Sequence, residues 1–252
     1  MKVLVGTVFK EDNDLQRKWL DLQLSFLAAT TEAFEHVSVV WGGTKGDHFA
    51  KKTTVIEPEG YQQASQAHVK GLRYLLHFFR QREAEFDNFL FLDSDAFPIR
   101  VDWMKHLLRK MTVSPVFGPD GAFLREEGRD FEIAIPVRSE NLENRLHASI
   151  LFVKKVALPH ISFDYQELKP DLCGNCERDV HLPDYEEDRR RLALPLMRSN
   201  QWNVHPLACG IYFDLFYHHC CGSGREFNLR ANKYWDAPTD MSKLTWELMK
   251  PE

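Results

Sequence analysis

Two aspartates one residue apart, Asp93 and Asp95, follow a run of mostly large apolar residues, Asn88-Phe89-Leu90-Phe91-Leu92, with Ser94 between them. A short apolar run entered from a charged segment reads as a buried strand. Carboxylates at i and i+2 leave the pleat on the same side. Like charges at the mouth of an apolar strand are costly unless a cation sits between them. In an open α/β sheet, ligands gather at the carboxyl ends of the strands. Asp93 and Asp95 are therefore candidate ligands for a hard divalent metal, most simply one that also holds a diphosphate. A solvated acidic turn is the competing reading, because Asp and Ser are good turn residues.

A second apolar run, Gly210 to Tyr217, delivers His218 and His219 to its end, and Cys-Cys-Gly-Ser-Gly-Arg follows, closing on Arg225. It is expected to be one strand, so that alternation turns only one of the two imidazoles toward a ligand. Residues 184 to 196 are expected to form an amphipathic helix, with Asp184 as N-cap and Glu187 at the third helical position. That capping role is reason enough for both residues; the functional reading makes a carboxylate at a helix start a general base. Cys173 and Cys176, with His181 nearby, could be half of a zinc site. Cys209, Cys220 and Cys221 complete no standard zinc spacing, so reduced, unlinked thiols are expected.

The elements that must position these groups read as alternating strands and helices. Residues 2 to 8 form a first strand that ends at Thr7, Val8 and Phe9, where a base or ribose could rest on the backbone. Asn13 and Gln16 suit a capping box, and Leu15, Trp19, Leu22, Phe26 and Leu27 make one helical face, which is core. His36 to Trp41 is a second strand, stopped by Gly42-Gly43. Residues 53 to 56 are an edge strand. A helix over 62 to 81 buries Ala67, Leu72, Leu75, Leu76 and Phe79, and turns Arg73, Arg80 and Arg82 outward. Ser65 and His68 lie near its start, where helix dipole and polar side chains could meet a diphosphate, although a solvated first turn explains them equally. A short helix after Asp102 and a strand end near Val116 follow. Residues 120 to 145 read as a charged excursion, and 147 to 153 as another strand, whose small Ala148 and Ser149 leave room for a ligand. Trp202 sits in a polar loop. Trp235, Leu244, Trp246 and Leu248 suit a tail that caps the sheet.

Composition narrows the classes. A chain of 252 residues that is 44% hydrophobic has enough material for one large α/β domain or two small ones. A net charge of -5 lacks the basic footprint of a nucleic-acid binder. No run is long and apolar enough to span a membrane, and no leader pattern follows Met1. Five cysteines, an odd count in a long chain, point to a reducing compartment, and a cytoplasmic location is expected.

Strand, helix, strand, helix, then a strand ending in Phe-Leu-Phe-Leu-Asp-Ser-Asp resembles the GT-A glycosyltransferase fold over roughly residues 1 to 230, with Tyr217-His218-His219 in support. The resemblance implies a single α/β domain with a Rossmann-like, mostly parallel central sheet flanked by helices. Residues 1 to 118 would bind the nucleotide sugar, 119 to 230 would face the acceptor, and 231 to 252 would cap the domain. It implies transfer of a sugar from a UDP- or GDP-sugar to a hydroxyl of a glycan or small molecule. Asp95, and more loosely Asp93, would hold Mn²⁺ or Mg²⁺ together with one of His218 and His219, with His219 slightly preferred. Thr7, Val8, Phe9, Ser65, His68, Ser94 and Arg225 would meet the donor, and Trp202 and Ser149 the acceptor. Asp184 would be the base, ahead of Glu187 and Asp188, although the register of Tyr185-Glu186-Glu187-Asp188 departs from the Glu-Asp pair of inverting families.

Other classes use the same residues differently. A phosphotransferase of the haloacid-dehalogenase type would make Asp93 a nucleophile. That class wants the motif on an early strand with Thr or Val two residues on, whereas Phe97 stands here. A sugar nucleotidyltransferase wants a Gly-rich N-terminal loop with Arg and Lys, which the sequence lacks. A non-catalytic carbohydrate- or nucleotide-binding domain would need neither aspartate for binding.

Overall fold

A computed structural model of the chain describes residues 1–10, 14–41, 53–56, 64–117, 119, 122–128, 131–140, 143–146, 149–164, 179–181, 193–196, 198–199, 210–212 and 215–218. The first half alternates as expected: β1 (Val3–Lys10), α1 (Asp14–Ala28), β2 (Phe34–Trp41), β3 (Thr53–Ile56), α2 (Ala64–Gln81) and β4 (Asn88–Asp93). β5 (Ala96–Pro98), α3 (Trp103–Thr112), β6 (Val113–Phe117), β7 (Phe123–Gly128), β8 (Ile133–Glu140), β9 (Glu143–Leu146) and β10 (Ile150–Lys154) follow. A 3₁₀ segment (Lys155–His160) leads to β11 (Ser162–Asp164), β12 (Asp179–His181), β13 (Ala193–Leu196), β14 (Arg198–Ser199), β15 (Gly210–Tyr212) and β16 (Phe216–His218).

The main sheet has the order β13-β8-β10-β4-β1-β2-β3, with β9 attached to β8. β4-β1-β2-β3 and the pair β13-β8 are parallel, and β10 runs antiparallel between β8 and β4. The chain is thus an α/β protein with a mostly parallel sheet flanked by helices. From β1 it moves outward to β2 and β3, then returns across them to place β4 on β1's other side. Strand direction of travel reverses between β1 and β4, which is where a crevice opens in sheets of this kind.

Both faces of the sheet are covered, which is why β1 and β4 are mostly apolar. In β4, Phe89 and Phe91 face α2, while Leu90 and Leu92 face α3 and the smaller sheet. α2 lies close because β1 has a glycine beneath it. A Cβ on Gly6 would stand 2.6 Å from Phe79 Cζ and 3.1 Å from Leu75 Cδ1. Phe79 cannot yield easily; it is fully buried and packs on Phe91 at 4.6 Å between ring centroids.

A second sheet, β14-β15-β16-β5, grows from the end of β4. Here the structure departs from the sequence expectation. The run 210 to 218 is a hairpin, β15 against β16, reversed by a turn in which Leu215 N–H donates to the Tyr212 carbonyl at 3.0 Å. Asp214, a turn-favouring residue inside an apolar run, was the available signal. The expected helix 184 to 196 also fails at its end: Ala193–Leu196 is a strand parallel to β8. Pro195 cannot donate within a helix but is tolerated on an edge strand, which β13 is. The stretch 120 to 145 is not merely an excursion, because Ile133-Ala134-Ile135 enter the main sheet fully buried.

Thr7, His36 and Ser38 form a buried polar cluster on neighbouring strands. Thr7 Oγ1 lies 2.8 Å from Ser38 Oγ and 3.1 Å from His36 Nε2. Burial pushes the His36 imidazole down to about 4 from its usual 6.5.

Gly6→Ala is expected to destabilise the protein by about 1–3 kcal/mol through overpacking against Phe79, measured by urea unfolding. His36 binds its proton in the unfolded chain before it does so in the folded one. Stability is therefore whole above pH 6.5 and falls as pH drops toward 4, by on the order of 3 kcal/mol. Denaturation midpoints recorded across that window should flatten in His36→Gln.

Candidate functional site

Asp93 is the last residue of β4 and points to the α2 face by the alternation that buries Phe89 and Phe91. Its N–H donates to the Ser149 carbonyl at 2.9 Å, which continues the β4–β10 ladder and fixes the strand end. Ser94 and Asp95 form a two-residue turn into β5, whose Ala96 is paired with His218 of β16. That register carries an imidazole from late in the chain to the two carboxylates.

The resulting group is compact. One donor atom each from Asp93, Asp95 and His218 lies within 4.8 Å of the others, and all three residues are buried. His218 Nε2 is 3.7 Å from Asp93 Oδ2 and 3.5 Å from Asp95 Oδ1. On the other flank, His68 Nε2 of α2 is 2.6 Å from Asp93 Oδ1. The two oxygens of Asp93 therefore have different surroundings: Oδ1 meets His68, and Oδ2 faces His218 and Asp95.

Two carboxylates and an imidazole suit a divalent cation with oxygen preference. Donors on a six-coordinate cation of this kind sit roughly 3 Å apart, so the 3.5 and 3.7 Å spacings from His218 are wider than a bound cation would set them. The buried like charges supply the reason for such a group to be there.

The other expected site residues fall as follows. Ser94 is half-buried in the turn, and Ser149 is fully buried beside Asp93. Val8 is in register with Asp93 across the β1–β4 boundary, and Phe9 follows it, both buried. Thr7 is fully buried, with its hydroxyl engaged by Ser38 and His36 inside the sheet, so any ligand contact there would be through backbone. Ser65 is in the first turn of α2. His68 is the fifth residue of α2 and stands against Asp93. His219, Arg225, Trp202, Asp184, Glu187, Asp188, Cys173 and Cys176 lie outside the described residues, as does the expected capping tail.

Sequence reasoning missed Gln23. The apolar stripe of α1 is centred on Trp19, Leu20, Phe26 and Leu27, and Gln23 lies within it, fully buried, while Leu22 is half-buried. Its Nε2 donates to the carbonyls of Asp93 at 2.7 Å and Ala96 at 2.5 Å. A polar residue at i+4 from Trp19 and i−4 from Leu27 was the signal.

No helix among the described residues is long and apolar enough to cross a membrane. No protein-family model and no curated protein matches the chain. Among solved structures, the chain is similar to a glycosyltransferase involved in the glycosylation of the major capsid of PBCV-1, at 12% identity over 63% of this chain and 62% of that one, with a TM-score of 0.37. It is similar to a mannosyltransferase from Pyrobaculum calidifontis in complex with GDP-Man and Mn²⁺, at 14% identity over 69% and 49%, with a TM-score of 0.41. It is also similar to mouse xyloside xylosyltransferase 1 in its apo form, at 10% identity over 63% and 69%, with a TM-score of 0.39. The matched region spans 62% and 49% of the first two structures. Likeness at this level concerns the path of the chain; the chemistry rests on the side chains.

Asp95→Asn removes one of two facing charges, so the metal-free variant should melt no lower than the native protein. Mn²⁺ in excess should raise the native melting temperature and leave that of the variant unchanged, as read by differential scanning calorimetry.

Proposed function

We propose that the chain is a metal-dependent glycosyltransferase that moves a sugar from a nucleoside-diphosphate sugar, UDP- or GDP-linked, to a hydroxyl of a glycan or small molecule. One observation carries this reading: three buried ligand-type side chains converge at the carboxyl end of the central strand, beside the β1–β4 boundary. Asp93, Asp95 and His218 would hold Mn²⁺ or Mg²⁺. The cation, when bound, supplies positive charge against the diphosphate as the sugar–phosphate bond breaks.

The chain's own residues have the remaining work. The backbone at Thr7, Val8 and Phe9, with Ser65 and Ser94, would receive the nucleoside and diphosphate in the half formed by residues 1 to 118. His68 lies against Oδ1 of Asp93, while Oδ2 is turned toward His218. Arg225 would pair with phosphate. Ser149, small and next to Asp93, leaves space on the acceptor side, where Trp202 would offer a ring face. Asp184, or else Glu187 or Asp188, would take the acceptor proton if attack is direct. The odd count of five cysteines supports a reducing, cytoplasmic setting.

A phosphotransferase using Asp93 as nucleophile fits less well. The motif sits on the fourth strand of the order, and Asp93 Oδ1 is engaged by His68 at 2.6 Å.

The test is a panel of UDP- and GDP-sugars incubated with the full chain and Mn²⁺, with slow donor hydrolysis read by nucleotide release. One donor should be hydrolysed, and Asp95→Asn should lower that rate by roughly a hundredfold or more. Nucleotide binding that is indifferent to both Mn²⁺ and Asp95→Asn would instead identify a non-catalytic binding domain.

A further inference from the structure

The turn that carries Asp93 and Asp95 has few ways to be held. Its backbone leaves the main sheet after Asp93 and enters the second sheet at Ala96, so the two flanking carbonyls belong to different sheets. Both carbonyls point toward α1, and both accept from one group, the Nε2 of Gln23, at 2.7 and 2.5 Å. The contact joins residues 70 and 73 positions apart.

The chemistry of this contact is specific. An amide NH₂ has two protons and can satisfy two carbonyls at once. A carboxylate of the same shape has none. Gln23 is fully buried in an otherwise apolar stripe, and its Oε1 has no hydrogen-bond partner among the described residues. An unsatisfied buried acceptor costs about 1–3 kcal/mol. Leu or Met at this position would avoid that cost but would leave both carbonyls without these bonds. The two bonds also tie the end of β4 to the start of β5. The separation of those ends governs how far Asp95 stands from Asp93 and, through the pairing of Ala96 with His218, where the imidazole stands.

We propose that Gln23 is a positioning residue for the metal site: by tying the Asp93 and Ala96 carbonyls together, it keeps the Asp93, Asp95 and His218 donors close enough to share one cation. The proposal rests on the reading of those three residues as metal ligands. Groups that orient ligands typically change metal affinity about 10- to 100-fold when removed.

Mn²⁺ alone is titrated into the full native chain and into Gln23→Met, Gln23→Glu, Asp95→Asn and Leu20→Ala, with free Mn²⁺ followed by electron paramagnetic resonance and melting recorded in parallel. Leu20 is a buried neighbour in the same helix whose apolar side chain can donate no hydrogen bond to the turn's carbonyls, so it reports destabilisation alone. Gln23→Met and Gln23→Glu are expected to bind Mn²⁺ at least tenfold more weakly than native, while Leu20→Ala melts lower yet binds as native. Native affinity within twofold in Gln23→Met, with Asp95→Asn weakened, would overturn the proposal and leave the metal site standing. Both Gln23 variants failing to fold would assign the side chain to the fold and overturn it as well. No Mn²⁺ bound by the native chain would remove the metal reading first, and this proposal with it.

Discussion

Two carboxylates held together in a buried place are the constraint on which this structure turns. Asp93 and Asp95 are 4% and 5% exposed, and they leave the sheet at nearly the same point. Two unit charges about 4 Å apart repel by roughly 4 kcal/mol at the effective dielectric of a protein surface, and by more inside. Nothing in an apolar strand offsets that. Imidazoles from two separate elements, His68 of α2 and His218 of β16, stand against the carboxylates, and the backbone around them keeps the two charges together.

That hold has a structural origin. β4 is hydrogen-bonded on both sides, to parallel β1 and to antiparallel β10, and its last N–H is taken by the Ser149 carbonyl. One residue beyond the turn, β5 is already paired with β16. Phe97 of β5 packs on Phe26 of α1 at 4.6 Å and on Tyr217 of β16 at 5.3 Å between ring centroids, so the second sheet is anchored on α1. The acidic turn is therefore a seam between two sheets, fastened on the α2 side by His68 and on the α1 side by Gln23. A charge cluster at a rigid seam is a suitable place for a ligand whose own charge completes it.

Parts of this were legible from residue order. The apolar period of α1 and α2, the run that became β4, and the edge strand at 53 to 56 follow from local patterning, and β3 is the outer strand of the sheet. Where patterning misled, a local rule had been outvoted. The segment ending at Leu196 looked helical by amphipathicity, but Pro195 and a free sheet edge made its end a strand. The apolar run before His218 looked like one strand, but a reversal after Tyr212 folds it into a hairpin. Gln23 escaped because one polar residue in a helix stripe is ordinarily read as the border of the polar face, and the helix here is rotated to bury it ahead of Leu22.

Residue order by itself determined that a buried strand ends in one carboxylate with a second two residues on, because burial is a local property of consecutive residues; Asp95 lies in the turn beyond the strand, so its approach to Asp93 was set by that turn and not by strand alternation. It also determined that histidines would arrive at the end of a later apolar run. Which imidazole meets the carboxylates, and that His68 and Gln23 grip the turn from opposite faces, depended on strand pairing and helix rotation. Those are relations between segments far apart in the chain, decided only when the whole core packs.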